Sequence, residues 1–369
     1  MDREFYARLA DQSIAGELLS KDTARDILTS TAIDLFPLLN AAYEVRKKFT
    51  GKEVNIHIIN NGQNGFCPED CHYCAQAKSS QAEIEEYPLK TDEEFLAEAK
   101  NAYEKGAHRY CMVFAGRGPS TQRTEHLSRL IKEIKSRYPI EVCVSAGLLD
   151  DEKARMLKEA GLDRLNHNLN TSERNYPNIC TTHTFQDRLK TIQAGRKAGI
   201  ELCSGIILGM NEDVSDIIDV GYTLREVAVE SIPVNLLIPI EGTKIKKDSV
   251  LTPEYCLRVL CLYRFLNPQV ELRIAAGREL HLRGLEVLAL YPANSLFLDG
   301  YLNTKGGSRL KTLQMIKDAG FTIKSEIPLE ELIDKEMEET NSINEIQKDA
   351  VSKALLKNLK DLRPHLTCK

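Results

Sequence analysis

Hydrophobic and polar positions along the chain follow two alternating patterns. Short apolar segments rich in β-branched residues, such as 53–59, alternate with longer segments such as 92–105, where apolar residues recur every three or four positions. The first pattern is typical of buried strands and the second of amphipathic helices. Eight strands are predicted, at residues 53–59, 109–114, 140–145, 163–169, 200–208, 232–238, 270–275 and 294–298.

The order of these segments predicts the architecture. Eight strands that alternate with helices match a (β/α)8 TIM barrel, which typically takes about 250 residues. A doubly wound open sheet is the alternative, but it would be favoured by a glycine-rich phosphate loop after the first strand, which this sequence lacks. We therefore expect an N-terminal helical segment at 1–50, the barrel at 51–324 and a charged helical C-terminal extension at 325–369.

Composition narrows the classes of function. The net charge of −5 gives no electrostatic reason to expect a nucleic-acid or anionic membrane partner. The sequence has no apolar run of the roughly 20 residues that a membrane span needs, and its first residues lack the apolar segment of a secretory signal. A reducing, cytoplasmic location is the expectation. There, the 10 cysteines point to metal binding or catalysis rather than to disulfides.

A cysteine motif follows the first predicted strand. In FCPEDCHYCAQ, Cys67, Cys71 and Cys74 have Cys-x3-Cys-x2-Cys spacing, and thiolates suit iron–sulfur clusters or zinc. Three thiolates leave one iron of a cubane cluster open for another ligand. A zinc site that includes His72 is the alternative, although closed zinc sites usually use two separated ligand pairs. The motif falls at the carboxyl end of a barrel strand, where barrel enzymes place their chemistry.

Other predicted strands contain cysteine, arginine or asparagine at positions within the strand. Cys111, Cys143 and Cys203 lie within the second, third and fifth strands, and Arg273 lies within the seventh. One buried cysteine is a small hydrophobe, but three with an arginine predict a second metal site inside the barrel. Asparagines occupy the fourth and sixth strands, at Asn166, Asn168 and Asn235.

A charged residue stands two residues before each of several of these strand positions. Because strand side chains alternate with a period of two, each charge shares the face of its neighbour, and a buried charge needs a partner. We predict a layer of paired charges on the amino-terminal side of the second metal site, formed by Arg109, Glu141, Arg164, Glu201 and Glu271.

These motifs together resemble the biotin synthase family of radical S-adenosylmethionine (SAM) enzymes over about residues 45–320. The matching segments are CPEDCHYCAQ, NHNLNTS (166–172), TTHTFQDR (181–188), CSGIILGMNE (203–212), RIAAGRE (273–279) and ANSLF (293–297). The resemblance implies that Cys67, Cys71 and Cys74 hold a [4Fe–4S] cluster whose open iron binds SAM. It also implies that Cys111, Cys143, Cys203 and Arg273 hold an auxiliary [2Fe–2S] cluster.

The resemblance further implies a reaction and its partners. Cleavage of SAM yields a deoxyadenosyl radical that abstracts hydrogen from dethiobiotin, and the auxiliary cluster donates the sulfur that completes biotin. A flavodoxin or ferredoxin is implied as the electron donor, and a homodimer as the oligomeric state.

Binding residues follow from the same resemblance. Tyr73 would present its backbone to adenine, Arg188 would pair with the SAM carboxylate, and the asparagines would bond the substrate's ureido ring or the SAM ribose. The residues expected to bind SAM are Tyr73, Asn168, Asn170, Arg188, Gly205, Ile207 and Gly209. Those expected to bind substrate are Asn166, Asn168, Asn235 and Arg117.

The sequence departs from the family pattern in three places. Asn170 replaces an acid that the family commonly uses near the SAM ribose, and the loop with Arg117 differs from the family's usual version, so Arg117 is expected to contact SAM or the substrate carboxylate. Cys180 is an extra cysteine. It is either a small buried side chain or an additional ligand that enlarges the auxiliary cluster beyond two irons.

Two alternatives remain at the level of sequence. Another radical SAM enzyme, of the hydrogenase-maturation or methylornithine-synthase type, would share the barrel and the cysteine loop. It would not need Cys111, Cys143, Cys203 and Arg273 together. A non-enzymatic zinc-binding module would stay colourless after reconstitution with iron and sulfide.

Overall fold

The computed structural model describes residues 1–245 and 251–344. The predicted helical N-terminus is confirmed by three helices, α1 (Arg3–Ile14), α2 (Lys21–Thr29) and α3 (Leu35–Thr50). Of the predicted C-terminal extension, the structure describes one helix, and residues 345–369 lie outside the described residues. Across the described ranges, no helix combines the length and the apolar character that a membrane span requires.

The strands form a closed parallel barrel, which confirms the predicted fold class. Closure follows from the register, because the last barrel strand pairs with the first as well as with its predecessor, with Asn55 opposite Ser295. The strands are β1 (Glu53–Gln63), β2 (Arg109–Phe114), β3 (Glu141–Ser145), β4 (Arg164–Asn166), β5 (Glu201–Cys203), β6 (Ile206–Leu208), β7 (Ser231–Leu236), β8 (Glu271–Ile274), β9 (Ser295–Leu298) and β10 (Thr322–Ile323).

The fifth barrel strand differs from its prediction. A single strand was expected at 200–208, but the chain forms β5 and β6, which both pair with β7. Gly205 lies at the break, where a Cβ atom would meet the carbonyl oxygen of Pro233 at 1.9 Å. A glycine is therefore required where this strand passes close to its neighbour.

Helices separate the strands as the apolar spacing predicts. The predicted helical segment at 92–105 corresponds to the fourth observed helix. The helices that follow β1 are α4 (Asp92–Glu104), α5 (Thr121–Arg137), α6 (Asp151–Glu159), α7 (Tyr176–Ile179), α8 (Phe185–Lys197), α9 (Val214–Glu226), α10 (Pro253–Leu266), α11 (Arg278–Leu282), a 3-10 helix (Arg283–Leu290), α12 (Arg309–Asp318) and α13 (Leu329–Asn344).

Candidate active site

The three-cysteine loop, defined by Cys67, Cys71 and Cys74, follows β1 at the carboxyl end of the barrel. Tight turns shape it, since the Cys74 amide donates to the Cys71 carbonyl at 3.0 Å and the Ala77 amide donates to the Cys74 carbonyl at 3.2 Å. All three cysteines line one cavity of about 390 Å³. The turns therefore bring three thiols to a common space.

Two carboxylates fasten this loop to the segment after α7. Asp70 accepts hydrogen bonds from the Thr181 amide at 2.9 Å and the Thr182 amide at 3.2 Å. Glu69 lies 2.5 Å from His183 Nδ1 and 3.2 Å from Arg117. Burial alone would raise the pKa of Asp70, but the hydrogen bonds from Thr181 outweigh it and hold the pKa below its usual range. Both segments were recognised in the sequence, but their contact was not.

Cys180 lies in this clamped segment as a buried side chain, which is the first of the two alternatives given above. Its sulfur is 3.8 Å from the sulfur of Cys71 and 3.3 Å from both Asp70 Oδ1 and His183 Nδ1. Cys71, Cys180 and His183 also form a group of potential metal ligands. Because helix α7 ends at Ile179, the chain turns Cys180 toward the three-cysteine loop rather than into the barrel.

The thiols of the loop favour their protonated form in the absence of metal. Burial raises the pKa of Cys67 and raises that of Cys74 to about 11. The pKa of Cys71 is raised chiefly by its hydrogen bond with Cys180 and also by burial. Metal binding at these thiols must therefore release protons.

A second group, the barrel set, consists of Cys111, Cys143, Cys203 and Arg273. Cys111 lies directly opposite Cys143 in the β2–β3 register, and the exposed fractions of the three cysteines are 5%, 3% and 1%. Arg273 places a guanidinium nitrogen 3.6 Å from the Cys203 sulfur. Four strands of the barrel thus bring three buried thiols and one cation into its interior.

The predicted charge layer is confirmed below the barrel set. Glu271 is at its centre and accepts from Arg109 at 3.0 Å and from Arg164 at 2.9 Å. Arg109 also pairs with Glu141, and Arg164 with Glu201 at 2.5 Å. Glu201 is the outermost member, because its side chain is 53% exposed.

His57 on β1 is a buried site residue that the sequence reasoning missed. Its Nδ1 atom lies 3.7 Å from the Cys111 sulfur, and its Nε2 atom lies 3.2 Å from Arg273. Burial, with a further contribution from Arg273, holds the pKa of His57 well below its usual range. A signal was available, because a histidine interrupts an otherwise apolar stretch in IHII (56–59).

One cavity joins the two groups of cysteines. Its wall includes the three-cysteine loop together with Cys111, Cys143 and Arg273. Several predicted binding residues also line it, namely Tyr73, Arg117, Asn166, Asn168, Asn170, Arg188, Ile207 and Asn235. Gly205 and Gly209 are not part of the lining within the described residues, and the Gly209 amide instead donates to Glu212 at 2.7 Å.

Polar contacts fix several of these lining residues. Asn170 has a left-handed backbone, with φ of 70°, and donates to the Tyr73 hydroxyl at 2.7 Å. Arg188 donates to the Asn168 carbonyl at 2.8 Å and to His183 at 2.9 Å. Among the ion pairs of residues 1–245 and 251–344, none joins Arg188 to a carboxylate.

The fold and the donor chemistry together define a class of enzyme. A parallel barrel with three thiols at its carboxyl mouth suits a cluster that keeps one iron open, and the thiols of the barrel set are soft ligands of the kind that a second cluster would need. The model of the radical SAM superfamily matches residues 64–221, and that of the biotin and thiamin synthesis associated domain matches residues 233–322.

Relatives narrow the class to one family. A biotin synthase of Magnetococcus marinus is 55% identical over 316 residues, which cover 86% of this chain and 98% of the relative. A biotin synthase of Lysinibacillus sphaericus is 46% identical over 319 residues, 86% of this chain and 96% of the relative. The chain belongs to the biotin synthase family. This membership implies a [4Fe–4S] cluster and SAM, and it favours biotin synthesis over the rival radical SAM reactions.

Solved structures support the fold. Methylornithine synthase matches with a TM-score of 0.73 and 20% identity, over 85% of this chain and 96% of its own. A FeFe-hydrogenase maturase from Carboxydothermus hydrogenoformans matches with a TM-score of 0.72 and 18% identity, over 89% of this chain and 81% of its own. At these identities the likeness concerns the barrel and not the reaction.

Proposed function

We propose that the enzyme inserts a sulfur atom into dethiobiotin to form biotin, and that the sulfur comes from an auxiliary cluster held by the barrel set. One observation carries the proposal. The three-cysteine loop and three members of the barrel set, Cys111, Cys143 and Arg273, line the same cavity, so a substrate between them would face both groups. Family membership supplies the identity of that substrate.

Each group of ligands has its own task. When bound, the cluster of the three-cysteine loop supplies the electron that cleaves SAM, and the auxiliary cluster supplies the sulfur. With three cysteines and Arg273 as ligands, the auxiliary cluster would be a [2Fe–2S] cluster, because Cys180 faces Cys71 instead. The loop's own turns hold its three thiols at the cavity wall.

Arg188 is the residue that we assign to the SAM carboxylate. It is a cation on the cavity wall, and in the described part of the chain it forms hydrogen bonds with the Asn168 carbonyl and with His183 but no ion pair with a carboxylate. Such a cation favours an anionic ligand, since a charge-assisted hydrogen bond is stronger than a neutral one. Asn170, held by Tyr73, and Ile207 would form the neighbouring surface for the nucleoside, with the Tyr73 backbone toward adenine.

The asparagines are assigned to the ureido ring. Asn166 and Asn168 lie side by side at the end of β4, with their side-chain nitrogen and oxygen 3.4 Å apart. Amides can both donate and accept, which suits a neutral urea. Asn235 lines the same wall, although it also donates to the Ile206 carbonyl at 3.2 Å. Arg117, which is 52% exposed and paired with Glu69, would meet a carboxylate at the cavity mouth.

The electron donor and the assembly are also proposals. A flavodoxin or ferredoxin would deliver the electron, because the reaction requires a one-electron reductant and membership in the family implies such a carrier. A homodimer is proposed on the same ground.

The proposal is tested by an anaerobic assay of reconstituted enzyme with SAM, a reductant and dethiobiotin. Biotin and 5′-deoxyadenosine are expected together. Deoxyadenosine without biotin would retain the radical chemistry and contradict the substrate assignment. Absence of both products from protein that carries its full iron and sulfide would contradict the proposal as a whole.

A further inference from the structure

His57 lies at the point where the charge layer meets the barrel set, and the function proposed above does not use it. The side chain has no exposed surface. Its two ring nitrogens face different surroundings. Nδ1 faces the sulfur of Cys111 at 3.7 Å, whereas Nε2 faces Arg109 at 3.1 Å, Arg273 at 3.2 Å and Glu271 at 2.8 Å.

The neighbours of Nε2 decide where the ring proton lies. Arginine can only donate, so a hydrogen bond from either Arg109 or Arg273 requires the single lone pair of an unprotonated Nε2. Glu271 would accept a proton from Nε2, but its oxygens already have other donors. These are Asn55 at 3.1 Å, Arg109 at 3.0 Å, Arg164 at 2.9 Å, Ser231 at 3.2 Å and Arg273. A carboxylate offers about four lone-pair sites, so these donors saturate it without a proton from Nε2, which favours the tautomer with the ring proton on Nδ1.

We propose that His57 donates its Nδ1–H to the sulfur of Cys111 and is a positioning residue of the auxiliary cluster. The inference rests on the proposed function, because it takes Cys111 as a cluster ligand. The other nitrogen accepts from Arg273, so the imidazole connects two members of the barrel set. Hydrogen bonds to the sulfurs of a cluster raise its reduction potential, and residues that orient ligands also affect their affinity for the metal.

A comparison within the barrel set supports this role. Cys203 receives hydrogen bonds from Asn166 at 3.2 Å and from Arg273 at 3.6 Å. Cys111 has the Nδ1 atom of His57 in the corresponding position. Two of the three sulfurs thus face nitrogen donors that come from other strands. These donors stabilise negative charge on sulfur where bulk water has little access.

The test compares two substitutions that separate the donor from the packing. His57→Asn retains a nitrogen donor near the position of Nδ1, and His57→Leu fills the space without a donor. Both variants and the parent are reconstituted anaerobically, and the reduction potential of the auxiliary cluster is measured by spectroelectrochemical titration. Iron and sulfide counts and far-UV circular dichroism are recorded for each protein.

The expected result is a lower potential in His57→Leu and a potential near that of the parent in His57→Asn. At a fixed applied potential, the oxidised-to-reduced ratio is expected to rise about tenfold in the leucine variant, which for a one-electron couple corresponds to about 59 mV. Selective loss of the auxiliary cluster from the leucine variant would support the same role.

Equal potentials in all three proteins would overturn the inference, as would loss of the auxiliary cluster from both variants. A strong histidine-nitrogen coupling in the magnetic resonance spectrum of the reduced auxiliary cluster would make His57 a ligand and overturn its role as a donor. Failure of the parent enzyme to form biotin would count against the proposed function alone, since the potentials report on His57 without turnover.

Discussion

The three-cysteine loop and the barrel set hold the same kind of ligand in opposite settings. Cys67 and Cys74 are partly exposed on a loop whose shape depends on its own turns and on the clamp to residues 181–183. The barrel set is buried on strands whose register fixes its spacing, and charged side chains pack beneath it. The loop is built for exchange of a ligand and an electron at the cavity mouth, whereas the barrel set is built to shelter its contents from water.

The largest expected effect comes from breaking the loop. Cys74→Ala removes one of the thiols that we assign to the [4Fe–4S] cluster, and SAM cleavage should be lost. The loss should exceed the roughly 10–100-fold that changes in outer-shell partners typically cause. Anaerobic formation of 5′-deoxyadenosine measures it. Cleavage at the parent rate would contradict the assignment of this loop.

A substitution in the barrel set should separate biotin formation from SAM cleavage. Cys203→Ala removes a proposed auxiliary ligand but leaves the loop intact, so biotin should disappear while 5′-deoxyadenosine remains within a few-fold of the parent. Chromatography of both products from one reaction gives the comparison. If both products disappeared together, the two groups of cysteines would not be independent.

The buried centre of the charge layer should contribute more to the stability of the protein than the exposed outer members of the layer. Glu271→Gln leaves Arg109, Arg164 and Arg273 without their shared buried partner, and breaking such a buried network costs about 3–5 kcal/mol in the free energy of unfolding. Glu201→Gln is the matched control, because an exposed pair contributes only about 0–1 kcal/mol. Denaturant unfolding of both variants provides the measurement, and similar losses in the two would refute the buried network.

The cation on the cavity wall should affect SAM binding. Arg188→Met keeps much of the side-chain volume but removes its charge-assisted hydrogen bonds, each worth about 1.5–3 kcal/mol. The dissociation constant for SAM should therefore rise about ten- to a hundredfold, as measured by equilibrium dialysis against the reconstituted enzyme. Arg188→Lys should lose less affinity for SAM, since lysine keeps the positive charge. An unchanged constant in the methionine variant would assign the SAM carboxylate to another residue.

The smallest effect is expected for Cys180. Because its sulfur contacts Cys71, Cys180→Ala should leave the auxiliary signal and its iron content unchanged. Mössbauer or absorption spectra of the auxiliary cluster provide the check. Loss of auxiliary iron in this variant would instead favour the alternative in which Cys180 is an additional ligand of the auxiliary cluster.

Much of the location of the barrel set, the charge layer and the three-cysteine loop could be predicted from residue patterns. Strand periodicity located Cys111, Cys143 and Arg273 in the barrel interior, and it placed Arg109 and Glu271 in the paired layer below them. These predictions succeeded because period-two alternation and hydrogen-bond register act over neighbouring residues and strands. The motif spacing likewise identified the three-cysteine loop, because a loop ligand set is local in sequence.

The features that residue patterns did not resolve share one physical cause. Cys180 is close in sequence to the fourth strand, but the turn after α7 and the hydrogen bonds to Asp70 direct it to a loop more than one hundred residues earlier. The break at Gly205 depends on the carbonyl of Pro233, which no local pattern contains. His57 was overlooked because its importance comes from Arg273 and Glu271 on a distant strand. Each of these features depends on contacts between residues that are far apart in the sequence, so no local pattern could predict it.

The central claim is that the auxiliary cluster held by the barrel set supplies the sulfur, and isotope labelling tests this claim most directly. The enzyme is reconstituted with ³⁴S-sulfide, freed of excess sulfide and allowed a single turnover with dethiobiotin and SAM. Mass spectrometry of the product should find ³⁴S in the biotin, with a matching loss of sulfide from the auxiliary cluster. Unlabelled biotin formed while the auxiliary cluster stays intact would contradict the account.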